Sequence, residues 1–390
     1  MSAQISHSNA TGLRDYFMNR QREVLALTRA LVESESPSGE EAGSKAVVAL
    51  LSAAARAINS VTAIERIPAE NYGEHLRVQA FSSGRSSSKT ILILGHTDTV
   101  HPYGSLQSRP WRVEAGCAYG PGVFDMKANC ALAIEAIRAC TALDLPPQSP
   151  VVLLLTCDEE TGSNSGRAIV EAEARRARAV LVLEPPAGGG RVKTARKGTG
   201  MFTVEARGRA AHAGLEPEKG ASAILEIGRL IERLHAMNNP ATGISVNVGV
   251  VEGGTLSNVV AAEARAEVDL RFSTIEEGAR IESEILRLRP VDDRVRLVVR
   301  GGINRPPLER TERVVALYEH ARRIAATLDY ELGEAQVGGA SDGNFAAAIG
   351  APVLDGLGID GDGAHALHEH VLIDDIPRRG ALLSGLIATL

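Results

Sequence analysis

The pattern of hydrophobic and polar positions changes character close to residue 200 and changes back beyond residue 300. Before that point, short apolar runs alternate with longer segments in which apolar residues recur every three or four positions. The short runs are typical of strands buried on both faces of a parallel sheet, and the longer segments are typical of covering helices. The predicted strands span 61–67, 75–81, 90–95, 151–156 and 180–183, and the predicted helices span 16–34, 40–58, 128–143 and 163–178.

This alternation predicts an α/β fold, with a mixed but mostly parallel sheet and helices on both of its faces. Two local signals add detail. Ser38 and Glu41 fit a capping box at the start of the second helix. The polar stretch 82–89 is typical of a turn that leads into the strand 90–95.

Beyond residue 200, apolar positions alternate strictly with polar ones. In 263–272 the apolar residues share one side of the predicted strand and the charged residues share the other, which leaves one sheet face open. The other predicted strands are 201–207, 244–250 and 295–299, and the predicted helices are 220–237 and 275–288. This βαββαβ order predicts a ferredoxin-like α+β unit.

Glycine-containing segments flank this unit, 188–190 with 197–198 before it and GGINRPPLE at 301–309 after it. We interpret both as linkers, because helix, strand and helix follow the second one. The small unit is therefore predicted to be an insertion. The predicted domains are a discontinuous larger domain, 1–197 with 303–390, and an inserted domain, 198–302.

Composition argues against several classes of function. The 390 residues carry a net charge of −6 and 3% aromatic side chains, which argues against a nucleic-acid partner. No apolar run approaches the roughly 20 residues that span a bilayer, and the first residues do not resemble a signal peptide. We therefore expect no membrane partner. The four cysteines show no CxxC spacing, which favours reduced thiols in a cytoplasmic protein.

Residues that can bind metal follow the predicted strands. His96 and Asp98 come directly after 90–95 and, being two residues apart, lie on the same side of an extended chain. In open α/β sheets, chemistry takes place outside the carboxyl ends of the strands. This pair alone leaves two interpretations open: a histidine ligand supported by a carboxylate, or a capping pair at a strand end.

Further acidic residues and histidines repeat the pattern downstream. They are Asp125 in GPGVFDMK, Asp158, Glu159 and Glu160 after 151–156, Glu184 after 180–183, and His365, His368 and His370 in GDGAHALHEHV. Carboxylates gathered at one edge repel each other unless a cation lies between them. Two imidazoles and three carboxylates suit two zinc-like ions that share one carboxylate. Of the neighbours Glu159 and Glu160, one can bind metal while the other acts as a base toward water attacking a carbonyl.

Eight motifs carry a specific resemblance. They are GHTDTV, GPGVFDMK, DEETG, LEP, AAHAG, GGTLSNVV, GGASDGNF and GAHALHEHV. In these motifs the chain resembles the dinuclear-zinc family of aminoacylases, acetylornithine deacetylases and carboxypeptidases, and above all the bacterial glutamate carboxypeptidases that cleave folates. The resemblance covers nearly the whole chain beyond residue 30. It implies a zinc exopeptidase-like catalytic domain with an inserted lid and dimerisation domain.

The resemblance also implies a role for each residue of the site. The implied roles are His96 and Glu184 on one Zn²⁺, Glu160 and His365 on the other, Asp125 as the bridge, Asp98 as support for His96, and Glu159 as the general base. Co²⁺ or Mn²⁺ are alternatives to Zn²⁺. His365 is preferred because it follows Gly-Ala and precedes Glu369 by four residues, as in the family, so His368 and His370 are expected at the surface.

The chain departs from the family pattern at Ala128 and Asn129, where two glycines usually follow the lysine. Asparagine tolerates glycine-like dihedral angles and begins a helix acceptably, so we expect little damage. The resemblance further implies a cis peptide bond between Asp125 and Met126.

Three residues of the predicted inserted domain, and Gly339 of the larger domain, are further candidates for the site. By pattern His212 is a loop histidine, whereas the resemblance implies that the partner subunit of a homodimer presents it to stabilise an oxyanion. Arg271 is either one rung in a ladder of alternating charges or a clamp for a substrate carboxylate, with Asn258 as a polar contact beside it. Gly339 lies in GGASD, which forms either a backbone nest for an anion or a tight turn.

The expected function is metal-dependent hydrolysis of an amide bond in a peptidyl or N-acyl amino acid with a free α-carboxylate, of glutamate carboxypeptidase type. Within the same class, an N-acetyl or N-succinyl amino-acid deacylase of biosynthesis is the alternative. From another class, the alternative is a metal- or peptide-binding homologue without turnover. A base beside the metal pair, Glu159, argues against that last alternative.

Overall fold

The computed structural model describes residues 5–82 and 89–390, and these residues form two compact units. The first unit comprises the described residues of Met1–Ala195, Arg310–Val337 and Ser341–Leu390, and the second comprises Arg196–Glu309 and Gly338–Ala340. The sequence predicted boundaries after residues 197 and 302, and the observed units divide after Ala195 and Glu309. Most of the turn predicted over 82–89 lies outside the described residues.

Strands and helices are numbered separately along the chain. The strands are β1 (Val61–Ala69), β2 (Gly73–Ala80), β3 (Thr90–His96), β4 (Arg112–Glu114), β5 (Cys117–Tyr119), β6 (Val151–Thr156), β7 (Ala177–Val182), β8 (Val192–Arg196), β9 (Gly198–Arg207), β10 (Ser245–Gly253), β11 (Glu263–Phe272), β12 (Arg296–Arg305), β13 (Glu334–Val337), β14 (Val353–Leu354), β15 (Gly361–Asp362) and β16 (His370–Leu372). The helices are α1 (His7–Glu33), α2 (Glu41–Arg56), α3 (Ser105–Ser108), α4 (Ala128–Ala142), α5 (Arg167–Arg176), α6 (Ala223–His235), α7 (Ile275–Leu286), α8 (Glu312–Thr327), α9 (Gly343–Ala348) and α10 (Ile376–Thr389). One-turn helical segments lie at Val123–Lys127, Glu159–Thr161, Pro217–Lys219 and Ile373–Asp375.

The central sheet of the first unit has the strand order β1-β2-β6-β3-β7-β14. β3 pairs in parallel with β6 and β7, and β14 pairs in parallel with β7, whereas β2 is antiparallel to both β1 and β6. Every residue of β3 and β6 is buried, as expected for apolar strands covered on both faces. The predicted α/β class with a mixed, mostly parallel sheet is confirmed.

Helices supply the apolar layers that cover this sheet. α1, α4 and α10 pack against one another, and their buried side chains join one core with alternate residues of β3 and β6. α4 is buried along nearly its whole length, which agrees with its almost continuous apolar sequence. In the described part of the chain, every helix is either too short or too polar to span a bilayer.

The second unit is built on an antiparallel sheet with the order β10-β11-β9-β12. With α6 between β9 and β10, and α7 between β11 and β12, the chain runs βαββαβ, and this strand order is that of a ferredoxin-like unit. Along β11 the odd-numbered residues are exposed or half-buried and the even-numbered ones are buried. The buried residues pack against α6 and α7 in a separate core, so the strict alternation in the sequence marks a sheet covered on one face.

Three local predictions were wrong. The segment 188–190 is not a linker between the units but a turn within the first unit, where Ala187 and Arg191 exchange backbone hydrogen bonds at 2.8 and 3.0 Å. Ser38 does not cap α2, because that helix begins at Glu41 after Glu40, whose side chain makes no capping bond, and the Ser38 hydroxyl instead donates to Asp98 at 2.6 Å. The segment 301–305 is not a linker but the end of β12, which continues to pair with β9. At Gly301, φ is +120° and a Cβ would lie 2.1 Å from the Met201 carbonyl oxygen. Glycine is therefore required there by close strand approach and not by a chain break.

Candidate active site

The carboxyl ends of β3 and β7 bring the first group of predicted ligands together. His96, the last residue of β3, is buried, and its Nε2 lies 3.1 Å from Oδ1 of Asp125 and 3.5 Å from Oε1 of Glu184. Asp125 lies in the turn Val123–Lys127 before α4, and Glu184 follows β7. The His96 Nδ1 lies 3.0 Å from the backbone oxygen of Asp98, so this carbonyl accepts the Nδ1 proton and Nε2 is turned toward the carboxylates.

The second oxygen of Asp125 faces another histidine and another carboxylate. Nε2 of His365 lies 3.4 Å from Oδ2 of Asp125 and 3.3 Å from Oε2 of Glu160. Glu160 belongs to the one-turn segment that follows β6, and His365 has a left-handed φ of +63° in the loop between β15 and β16. Asp125 thus stands between two sets, each with one imidazole and one further carboxylate.

The charges of this cluster compensate one another. Burial opposes protonation of His96, but hydrogen bonds to Asp125, Asp98 and Glu184 outweigh it and raise the pKa of His96 well above its usual value. Hydrogen bonds to Asp125 and Glu160 raise the pKa of His365 to about 10, against a smaller effect of burial. Burial opposes ionisation of Asp125, but the two histidines outweigh it and lower the pKa of that carboxyl. The carboxylates therefore favour positive charge on the two neighbouring imidazoles.

The donor set fits divalent metal ions. Ligand atoms of His96, Asp125 and Glu160 all lie within 4.8 Å of one another. Oε1 of Glu160 is buried and has no hydrogen-bond partner in the described part of the chain, which leaves an acceptor available to a cation. Imidazole nitrogen and carboxylate oxygen are ligands that Zn²⁺ takes in proteins. One imidazole and one carboxylate on each side of Asp125 fit one ion per side.

Asp98 ties the end of β3 to the turn that carries Glu159 and Glu160. Its side chain is 2% exposed. Oδ1 accepts the Glu159 N–H at 3.2 Å, and Oδ2 accepts the Glu160 N–H at 3.1 Å and the Ser38 hydroxyl at 2.6 Å. Its Oδ1 is 3.4 Å from the His96 Nδ1, farther than the backbone oxygen. The carboxylate of Asp98 therefore bonds the acidic turn more closely than the imidazole.

The predicted base, Glu159, is buried at the start of this turn. The preceding residue, Asp158, holds the far side of the turn, since its Oδ2 accepts the backbone N–H and the hydroxyl of Ser165 at 2.6 and 2.8 Å. Anchored on both sides, the backbone of Glu159 and Glu160 has a defined position. The role of Glu159 as a base stays a prediction.

His212 and Asn258 lie in the second unit on two segments that pair with each other. The backbone N–H of Ala213 donates to the Asn258 oxygen at 2.9 Å, and the side chains of both predicted site residues are exposed. The Nδ1 of His212 accepts the N–H groups of Gly214 and Leu215 at 3.1 and 3.2 Å. Because Nδ1 accepts, the ring proton of the neutral imidazole lies on Nε2, which makes Nε2 a hydrogen-bond donor.

Arg271 and Gly339, also in the second unit, make local contacts. The Arg271 guanidinium donates to both carboxylate oxygens of Asp269 at 2.8 and 2.9 Å, as in the charge-ladder interpretation. The Gly339 oxygen accepts from Arg196 Nη1 at 3.1 Å. Neither Gly338 nor Gly339 has a positive φ, so no αR–αL nest forms there, and a backbone contact of GGASD with an anion stays a prediction.

Several features close to the cluster agree with the sequence predictions, and one differs. The Asp125–Met126 bond is cis. Asn129 lies in the first turn of α4, where its side chain donates to the Phe124 oxygen at 3.2 Å and accepts the Ile359 N–H at 2.9 Å. His368 is exposed, as expected, but His370 is half-buried against the ring of Tyr119.

The sequence did not single out a second layer of buried residues behind Asp125. Glu369 is 2% exposed and accepts backbone N–H groups of the turn that carries Asp125, and His101 donates to the same carboxylate. Lys127 donates to the Leu31 and Ser34 oxygens at the end of α1, and burial lowers the pKa of Lys127 to about 7. In the sequence, the only indication of a role for Glu369 is its spacing of four residues from His365.

Comparisons with known proteins agree with this geometry. Residues 92–389 match the model of Peptidase family M20/M25/M40. The chain is 28% identical over 379 residues to carboxypeptidase G2 of Pseudomonas sp. (strain RS-16), which covers 95% of this chain and 90% of the relative. It is 30% identical over 345 residues to acetylornithine deacetylase of Myxococcus xanthus, with coverage of 81% and 84%.

The solved structures give the same result for the fold. The Bacillus subtilis YXEP protein, described as a dinuclear metal binding peptidase from the M20 family, superposes with a TM-score of 0.67 at 14% identity and covers 96% of this chain and 100% of that one. The family model spans most of the sequence, including every predicted ligand. The chain therefore belongs to peptidase family M20/M25/M40 and is a metal-dependent hydrolase.

Proposed function

We propose that this protein hydrolyses the amide bond of a peptidyl or N-acyl amino acid with a free α-carboxylate, using two Zn²⁺ ions per chain. The observation that carries the proposal is the position of Asp125, whose two oxygens each face a different histidine. In the proposed site, His96 and Glu184 would hold one ion, His365 and Glu160 would hold the other, and Asp125 would offer one oxygen to each. Bound there, the ions would polarise the substrate carbonyl and lower the pKa of water.

Glu159 is the proposed general base. It is adjacent to a proposed ligand, Glu160, and Asp98 accepts the backbone N–H of both residues, which holds the turn at the edge of the cluster. Its carboxylate takes a proton from the attacking water and returns it to the leaving amine, a role that requires a base within hydrogen-bond reach of the reacting atoms. Asp98 acts as a positioning residue, through the turn and through the backbone oxygen that holds His96.

His212 is the proposed donor to the oxyanion that develops on the substrate carbonyl. The two amides that bond Nδ1 leave Nε2–H as the donor, which is the form this role requires. We further propose, from the resemblance, that the partner subunit of a homodimer presents this histidine and that the second unit serves as lid and dimer contact. A two-fold dimer allows each chain to supply the same residue to the other.

The substrate carboxylate is proposed to bind Arg271, with Asn258 and the backbone at Gly339 as further polar contacts. A guanidinium forms two parallel hydrogen bonds with a carboxylate, and Asp269 already holds the Arg271 side chain by such a pair. A substrate carboxylate would therefore meet a guanidinium that is already held in one orientation. The name of the relative carboxypeptidase G2 favours a C-terminal amino acid as leaving group, and the resemblance favours glutamate. The proposed location is the cytoplasm, on the ground of the cysteine pattern in the sequence.

A deacylase is the second candidate, because acetylornithine deacetylase of Myxococcus xanthus shares 30% identity. The two candidates differ in the group attached to the amine and not in the reaction. A panel of substrates separates them: N-acetyl, N-succinyl, N-benzoyl and peptidyl derivatives of glutamate, ornithine and neutral amino acids, with released amine measured for each. Preference for acetylornithine-like substrates would replace the carboxypeptidase assignment.

The base and the metal are tested together with Glu159→Gln. Elemental analysis should find two transition-metal ions in the wild type and in this variant, because the change removes no proposed ligand. Turnover should fall by about two orders of magnitude or more, the usual contribution of a general base. Glu114→Gln, at a side chain that is 70% exposed, is the matched control and should keep full turnover. Wild-type protein without bound metal would refute the proposed function, and near-normal turnover of Glu159→Gln would remove Glu159 from it.

A further inference from the structure

Glu369 lies on the same loop as His365 and contacts the turn that carries Asp125. Its Oε2 accepts the Gly122 N–H at 2.8 Å, and its Oε1 accepts the N–H groups of Phe124 and Asp125 at 2.9 and 3.0 Å. The antiparallel pair β16–β5 brings these segments together, with His370 opposite Tyr119. One carboxylate thus joins two loops, each of which carries a residue of the proposed metal site.

A fourth donor reaches the same carboxylate. The His101 Nε2 lies 2.5 Å from Oε2 of Glu369, and the His101 Nδ1 lies 3.2 Å from Nη2 of Arg109. Arginine only donates, so Nδ1 must accept, and the ring proton must therefore lie on Nε2 and point to Glu369. His101 is buried. In this relay of two hydrogen bonds, Arg109 donates to His101 and His101 donates to Glu369.

The chemistry of the residue at 369 is narrowly defined by these contacts. Each oxygen of Glu369 accepts from two donors, so all four partners require an acceptor. A glutamine has the same shape, but its NH₂ group would face two donors in either orientation. Only an ionised carboxylate satisfies the whole set, and its charge strengthens each bond.

We propose that Glu369 is a positioning residue for the metal pair: by holding the backbone from Gly122 to Asp125 against the loop of His365, it presents the two oxygens of Asp125 to the two histidines. Glu369 touches neither substrate nor metal in this proposal. The inference rests on the proposed function, because it concerns the same ions. Residues that orient metal ligands typically change metal affinity by about 10- to 100-fold when removed.

The test compares Zn²⁺ affinity with the stability of the metal-free protein. Zn²⁺ dissociation constants are measured by competition with a chromogenic chelator for the wild type, Glu369→Gln and the exposed control Glu114→Gln, and the melting temperature of each metal-free protein is recorded. Glu369→Gln should bind Zn²⁺ about 10- to 100-fold more weakly, and the absorption spectrum of its Co²⁺ form should differ from that of the wild type. The control should match the wild type in all three measurements.

A purely structural role gives a different result. Glu369→Gln would then melt at a lower temperature without metal, yet bind Zn²⁺ within about twofold of the wild type, and that outcome would overturn the inference while leaving the proposed function intact. Absence of metal from the wild type would refute both. If Glu369→Gln does not fold, Glu369→Asp keeps an acceptor-only side chain that is one methylene shorter, and it should weaken Zn²⁺ binding measurably. Unchanged affinity in Glu369→Asp would equally overturn the inference.

Discussion

Replacing Asp98 with asparagine tests whether the turn that carries Glu159 and Glu160 depends on the end of β3. The Asp98 carboxylate is buried and accepts three hydrogen bonds, from the backbone N–H groups of both glutamates and from the Ser38 hydroxyl. Asparagine preserves the shape of the side chain but replaces one oxygen with an NH₂ group that cannot accept. The variant therefore removes acceptor capacity with little change in volume.

The size of the effect follows from the number of donors left without an acceptor. With NH₂ in the place of Oδ2, Ser38 can turn its hydroxyl to accept, but the Glu160 N–H then faces a donor. A buried donor without an acceptor costs about 1–3 kcal/mol. If the turn moves to recover this free energy, Glu159 is displaced and the transition state loses stabilisation by the same amount. This loss corresponds to a fall of roughly 5- to 150-fold in kcat/KM.

The assay is the release of free amine from an N-acyl amino acid at saturating Zn²⁺, which separates positioning from metal loss. Ser38→Ala should lower kcat/KM less than Asp98→Asn, because it leaves both backbone donors paired with Asp98. Asp329→Asn is the control, since this carboxylate is 71% exposed and asparagine tolerates its φ of +62°. Equal kcat/KM for Asp98→Asn and the wild type, with equal Zn²⁺ affinity, would refute the reasoning.

Three further predictions concern the second unit and the core. Arg271→Ala should raise KM about tenfold or more for substrates with a free α-carboxylate but not for their amides, because a hydrogen bond to a charged group contributes roughly 1.5–3 kcal/mol. Equal losses on both kinds of substrate would indicate misfolding. Mixed dimers of Glu159→Gln and His212→Ala chains should regain activity that neither variant has alone, because one site is then whole, and no recovery in proven mixed dimers would exclude His212 acting from the partner. Burial lowers the pKa of His320 to about 4, so its neutral form stabilises the fold fully above pH 6.5, and that contribution is lost as the pH falls from 6.5 to 4. One pKa unit corresponds to about 1.4 kcal/mol. Between pH 7.5 and 4, the free energy of unfolding of the metal-free wild type should therefore fall by roughly 2–3 kcal/mol more than that of His320→Gln, as measured by urea unfolding. Equal losses would show that His320 is not buried in its neutral form.

The sequence by itself determined the fold class and the family. Apolar runs such as Thr90–His96 and Val151–Thr156 are buried along their whole length, because strands covered on both faces admit no polar alternation. The strict alternation of Glu263–Phe272 equally marked a sheet covered on one face. These patterns are local, since a period of two follows from the geometry of one strand and a continuous run follows from burial of both its faces.

The grouping of His96, Asp125, Glu160, Glu184 and His365 could be predicted for a related reason. Parallel strands place their carboxyl ends at one edge of a sheet, so residues just beyond several strands meet without any need to know the loops. The structure brings the other four side chains together around Asp125. Their roles as ligands remain proposals that metal analysis can test.

Only the tertiary structure decided which partners hold these residues in place. Ser38 had the sequence of a helix cap but donates to Asp98, 60 residues away, and Glu369 accepts from Gly122 across 247 residues. The same holds at Gly301, where a pair of glycines typical of a linker instead allows close strand pairing. Hydrogen bonds and close approaches between distant segments leave no periodic pattern in the chain, so they become visible only when the segments are packed together.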